Sequence, residues 1–252
     1  AAEILDAKSS FFTYRTKLKK DTVIRGVKYN AGTSVLFYAN GQMDAKLGGD
    51  TTIQRIELKK GSEVRFNMHG DLHATKLAAD TVIQGKTYKA GTKVWYRKNR
   101  IKSASFSENT TINGIEYKKN ETIEFHENGQ IMVGTLVNDA TLPVQGQDIT
   151  FKAEKRLHFS ESGGFVGGTL VADTTIQNIQ FKSGTWISFY ENGIFYGTTA
   201  QDVTVQGVNF FAGEIVVFEE NGQLTPKTSE FYRSLSEPIQ IIIRQGIEIP
   251  DA

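Results

Sequence analysis

The stretch Asp21-Thr22-Val23-Ile24-Arg25-Gly26-Val27-Lys28-Tyr29 returns six more times along the chain, beginning at Asp50, Asp80, Asn109, Asp139, Asp173 and Asp202. Successive copies start 29, 30, 29, 30, 34 and 29 residues apart. A fixed period of this size marks a repeat architecture, in which each unit buries its apolar face against its neighbours. A composite unit reads D-T-T-I-Q-G-I-x-Y-K-A-G-T-x-V-x-F-Y-E-N-G-Q-L-x-x-G-T-L-A. The long step belongs to the fifth unit, where extra residues before the glycine and at Gln147-Asp148 lengthen turns and leave the apolar columns in phase. The third unit is one residue shorter, because Arg97-Lys98-Asn99-Arg100 replaces the E-N-G-Q turn.

Inside a unit the apolar period is two. Val64 and Phe66 alternate with Glu63, Arg65 and Asn67, and Ile123 and Phe125 with Thr122, Glu124 and His126. That is the pattern of a half-buried strand. The segments after the turn, Leu72-His73-Ala74 and Ile131-Met132-Val133, read the same way. Asn40-Gly41, Asn128-Gly129, Asn192-Gly193 and Asn221-Gly222 lie between two such runs, where a tight hairpin needs positive φ. A second turn recurs at Ala31-Gly32, Lys60-Gly61, Ala90-Gly91, Ser183-Gly184 and Ala212-Gly213. The expected fold is all-β: seven tandem antiparallel units of 29–30 residues in an open, elongated, twisted array. A closed seven-bladed propeller is the alternative, although propeller units usually run about 40–45 residues. Residues 1–20 read as an N-terminal partial unit, 21–224 as the repeat domain and 225–252 as a C-terminal cap, with a short helix at 229–236 and a strand at 239–249.

The chain has 252 residues, with 29 Lys+Arg against 28 Asp+Glu, so no global field recruits nucleic acid and none is expected as a partner. It has no cysteine, which removes disulfides, thiolate metal sites and cysteine nucleophiles. No run approaches the roughly 18 apolar residues that a membrane-spanning helix needs. No Ser lies in a G-x-S-x-G setting, and no H-E-x-x-H or P-loop pattern occurs. No cofactor, metal or catalytic residue is expected. His69 and His73 flank a hairpin tip with Asp71, but a spacing of four suits one helix face, so they read as exposed turn residues. The Asp/Asn column that opens every unit has two readings: a calcium ladder, or Asx turns accepting from the following Thr amides. One carboxylate per unit is too few for calcium, which favours the turns. The variable outward positions include Ser34, Leu36 and Tyr38, then Lys93, Trp95 and Arg97, then Trp186, Ser188 and Tyr190. Trp95, Trp186, Tyr38 and Tyr190 are the candidate ligand-binding residues, as aromatic platforms for a sugar or a protein.

The phrases Phe189-Tyr190-Glu191-Asn192-Gly193 and Phe125-His126-Glu127-Asn128-Gly129-Gln130-Ile131 resemble the core of bacterial MORN-like (YwqK-type) repeat proteins, which include repeat lipoproteins of spirochaetes. The resemblance implies an antiparallel β-array acting as a non-enzymatic scaffold in the envelope or at the cell surface. Its partner would be a protein or a cell-surface glycan. Export implies a leader upstream of Ala1, with a lipid anchor on that removed segment. The alternatives are a carbohydrate-binding module using the exposed aromatics, and an intracellular antitoxin-like partner protein.

Overall fold

The computed structural model describes residues 13–144, 146–176, 178–189, 195–218 and 223–224, and among them every regular element is a β-strand. Residues 1–12 of the expected N-terminal partial unit and the whole of the expected C-terminal cap, with its helix at 229–236 and strand at 239–249, lie outside the described residues. Two compact units are formed: Ala1–Thr110 with Lys118–Gly129, and Thr111–Tyr117 with Gln130–Ala252.

Each repeat supplies a short hairpin and a long one. In the second repeat the short hairpin is Thr51–Ile53 paired with Ile56–Leu58, and the long one is Glu63–Phe66 paired with Leu72–Lys76. The short hairpin turns on two residues with positive φ, here Gln54 and Arg55 at 47° and 66°. Other copies place Gly second, as in Arg25-Gly26 and Gln84-Gly85. This is the mirror-image turn whose twist suits antiparallel strands. A turn with glycine at φ 85°, Asn30-Ala31-Gly32-Thr33, then leads into the long hairpin, closed by Thr33 N–H donating to Asn30 O at 3.2 Å. In the long-hairpin turn of the first repeat only Gly41 takes positive φ, and the Asn40 side chain accepts from Gln42 N–H at 3.0 Å. The shorter third repeat uses a two-residue turn with both Lys98 and Asn99 at positive φ, which accounts for the missing residue.

The long hairpins of successive repeats hydrogen-bond to one another. In the first unit Ser34–Tyr38 pairs with Met43–Lys46, that strand with Glu63–Phe66, and Leu72–Lys76 with Lys93–Arg97. Blades of a propeller are separate sheets, so this ladder between repeats excludes the propeller and gives the open array. Among the described residues, Thr13–Lys17 pairs on one side only, with Ser34–Tyr38. The second unit builds the same way, ending with Phe195–Thr198 paired to Ile215–Phe218.

The strand alternation expected from the sequence is broken at the same point of the long hairpin in three repeats. A bulge shifts the register between Arg65 and Phe66, so that Leu72 faces Phe66 but Ala74 faces Arg65 and Thr75 faces Val64. Leu72 and Ala74 therefore lie on opposite faces, not on one. The same shift recurs at Trp95/Tyr96 and His158/Phe159.

One face of each sheet is the core. Its central row in the first unit runs Thr16, Val35, Ala45, Val64, Thr75, Val94, Ala104, Ile123. In the second it runs Gly134, Leu157, Gly168, Ile187, Gly197, Val216. In the second unit branched residues alternate with glycine, because the short hairpins press large side chains onto the small positions. A Cβ on Gly168 would lie 2.7 Å from Phe151, and one on Gly197 2.6 Å from Phe181. Those rings belong to one column, Tyr29, Leu58, Tyr88, Tyr117, Phe151, Phe181 and Phe210, buried in every repeat.

Candidate binding face

The Asp/Asn column is structural throughout. Asp21 Oδ1 accepts from Ala31 N–H, Asp50 from Lys60, Asp80 from Ala90 and Asn109 from Lys119, at 2.9–3.0 Å. Asp139, Asp173 and Asp202 accept likewise from Ala153, Ser183 and Ala212, at 2.7–2.9 Å. The partner is the amide of the turn that leads into the long hairpin, ten residues on in six repeats and fourteen in the fifth, rather than the neighbouring Thr amides. That turn carries glycine in five repeats and Asn120 or Glu154 at positive φ in the fourth and fifth. The second oxygen of Asp21, Asp50 and Asp80 meets Lys28, Lys59 and Lys89 at 3.3, 2.8 and 2.9 Å. For Asp50 and Asp80 the lysine, then the turn amide, holds the carboxyl below its usual pKa; for Asp21 the amide comes first. Asn109 makes the same bond without a charge, so what the column repeats is an acceptor for the turn amide. Among the described residues no group of three or more His, Asp or Glu could hold a metal ion. His69 and His73 are both exposed, and the turn between them is organised by Asn67, whose Oδ1 accepts from His69 and Asp71 N–H at 2.9 Å.

The opposite face of the sheet carries the variable residues. In the first unit its central row reads Arg15, Leu36, Asp44, Arg65, Ala74, Trp95, Ser103, Glu124. The row beside it reads Lys17, Ser34, Lys46, Glu63, Lys76, Lys93, Ser105, Thr122. Tyr38 is on this face but is tied down: its hydroxyl lies 3.1 Å from Asp44 Oδ2, and Arg65 grips Asp44 through two bonds of 3.0 Å. Burial, and then the Asp44 charge, raise the Tyr38 pKa. Trp95 stands half-buried between two small residues, Ala74 and Ser103, directly opposite it on either side.

The same face in the second unit is chemically different. Its central row is Val133, His158, Gly167, Ser188, Tyr196, Val217. Beside it lie Thr135 opposite Arg156, Thr169 opposite Trp186, and Thr198 opposite Ile215. Trp186 reaches across the neighbouring strand, where a Cβ on Gly167 would lie 2.6 Å from its Cζ2, and its ring centre is 4.9 Å from His158 in an edge-on contact. The Gly167-Gly168 pair is thus required from both sides, by Trp186 on the open face and Phe151 on the core face. Of the four sequence candidates, Tyr38 and Trp95 belong to the first unit, Trp186 to the second, and Tyr190 lies outside the described residues. Sequence reading missed His158 and Tyr196, whose place beside Trp186 depends on pairing between strands. No protein-family model matches the chain, and no curated protein matches it.

Proposed function

We propose that the chain is a non-enzymatic β-repeat scaffold of the bacterial envelope or surface, and that the open face of its sheet docks a macromolecular partner. The observation that carries this reading is the contrast between the two faces. One is packed in every repeat under a short hairpin, while the other bears side chains that change from repeat to repeat on a constant frame. The recurring carboxylates support a structural role, since each is engaged by a turn amide. The envelope setting rests on the resemblance of the repeat core to MORN-like repeat lipoproteins. A photo-crosslinking side chain at Arg65 or Glu124, on the open face, is compared in the source cells with one at Val82, which is exposed on a short hairpin. Crosslinks from the face positions but not from Val82, in envelope fractions, are the expected result. Equal or absent crosslinking, or a protein found only in the soluble fraction, overturns the proposal.

A further inference from the structure

The open face of the second unit holds one permanent charge, Arg156, among the positions paired across it. The first unit sets Lys17, Lys46, Glu63, Lys76 and Lys93 along a single row of its own face. Into the neutral surface the fold builds a flat, fixed aromatic ring. Trp186 needs the missing side chain of Gly167 to lie down on the sheet, since no real Cβ is found as close as 2.6 Å. The edge contact with His158 fixes its direction. The ring is half-buried, so one side rests on the strand and part of it stays open to solvent. Around it lie small and polar residues. Thr169 directly opposite and Ser188 two residues along are buried at its foot, the Ser188 hydroxyl donating to Val166 O at 3.1 Å, and Tyr196, opposite Ser188, is half-buried.

We infer that this patch is a saccharide platform, on which the indole of Trp186 stacks against the C–H face of a neutral pyranose in a glycan chain. The inference rests on the open face being the docking surface and names what its second unit takes. A sugar ring presents weakly positive C–H groups on one face and hydroxyls at its rim. A half-buried indole lying over Gly167, with only small residues beside it at Thr169 and Ser188, leaves room for that ring, and its negative π-system complements the C–H face. The scarcity of charge selects a neutral sugar over an acidic one. A protein partner fits less well, because binding cores between proteins are built from contiguous large apolar side chains, whereas Gly167, Ser188 and Thr169 surround Trp186.

Only two tryptophans exist, so a Trp95→Phe protein makes Trp186 the sole fluorescent indole. Titration of that protein with cellohexaose, laminarihexaose and chitohexaose, with hexagalacturonate as the acidic control, reads the site directly. Expected are saturable changes in emission with at least one neutral hexasaccharide, and protection of Trp186 from oxidation by N-bromosuccinimide at the same concentrations. Calorimetry on the parent chain should show the same affinity, and Trp186→Ala should weaken it at least tenfold. The oxidation protection needs no change at Trp186, so it decides the matter even if Trp186→Ala does not fold. No response to any neutral hexasaccharide at 10 mM, a preference for hexagalacturonate, or unchanged affinity in Trp186→Ala overturns the platform. If crosslinks from Arg65 persist while no sugar binds, only the platform falls; if both fail, the docking face falls with it.

Discussion

At the scale of single residues, the frame contains both satisfied and unsatisfied polar groups, and each makes a prediction. The Tyr29 hydroxyl is buried and hydrogen-bonded to nothing among the described residues, and burial drives its pKa well up. Its column holds Phe at 151, 181 and 210, so the ring is what the position needs. Tyr29→Phe removes an unsatisfied oxygen from the core and should stabilise the protein by about 1 kcal/mol, read as a higher Tm. An unchanged or lower Tm would mean that the hydroxyl has a partner in solution. The Asp column predicts the reverse sense. Asp80→Asn keeps the acceptor for Ala90 N–H, as Asn109 does naturally, and loses only an exposed ion pair of small worth. It should shift Tm far less than Asp80→Ala does. Because the folded pKa of Asp21, Asp50 and Asp80 is lowered, their contribution is present above the ordinary carboxylate pKa, about 4, and is lost as pH falls through the folded values. A Tm profile measured downward from pH 5 should therefore drop less steeply in Asp80→Asn than in the parent chain.

At the scale of the strand pair, stability depends on large rings seated on small residues. Gly168 is not at a turn and has no positive φ; it is small because Phe151 and Leu157 each stand 2.7 Å from where its Cβ would be. Both side chains are fully buried. Gly168→Ala should cost about 1–3 kcal/mol from overpacking. Adding Phe151→Leu should recover part of that loss, a coupling that a double-mutant cycle measures. Additive losses would show that the glycine is needed for something other than the ring. This contact also marks the limit of what the sequence discloses. The period of two, the glycine turns and the unit length follow from neighbours along the chain, and they suffice for an open antiparallel array. The seating of Phe151 on Gly168 joins positions in different hairpins, and nothing local announces it. The register shift at Arg65/Phe66 puts an extra residue between Leu72 and Ala74 in the partner strand, and the shift at His158/Phe159 does the same between Phe165 and Gly167, so that Ala74 and Gly167 fall on the open side. Trp186 was legible as an outward residue from simple alternation because its strand precedes the turn. His158, two strands away, becomes its neighbour only through register.

At the scale of the whole molecule, the pairing is consecutive: among the described residues each long strand bonds to the strands before and after it in the ladder. The repeats are also fastened in series, through Gly32 N–H to Leu18 O, Gly61 to Leu47, Gly91 to Leu77, Gly184 to Leu170 and Gly213 to Thr199, at 2.8–3.0 Å. An array held by nearest-neighbour contacts has no closure to make its unfolding all-or-none, and damage in one place is felt most by adjacent repeats. The two tryptophans allow this to be tested, because Trp95 lies in the first compact unit and Trp186 in the second. Gly197→Ala places a methyl group 2.6 Å from Phe181 within the second unit. In a Trp95→Phe background, where Trp186 alone reports, it should lower the urea midpoint by about 1 M, given a cost of about 1–3 kcal/mol and an m-value of similar size. In a Trp186→Phe background, where Trp95 reports, the same change should move the midpoint by less than half as much. Equal shifts at both tryptophans would show that the array unfolds as one cooperative body and that its serial fastening does not set its stability.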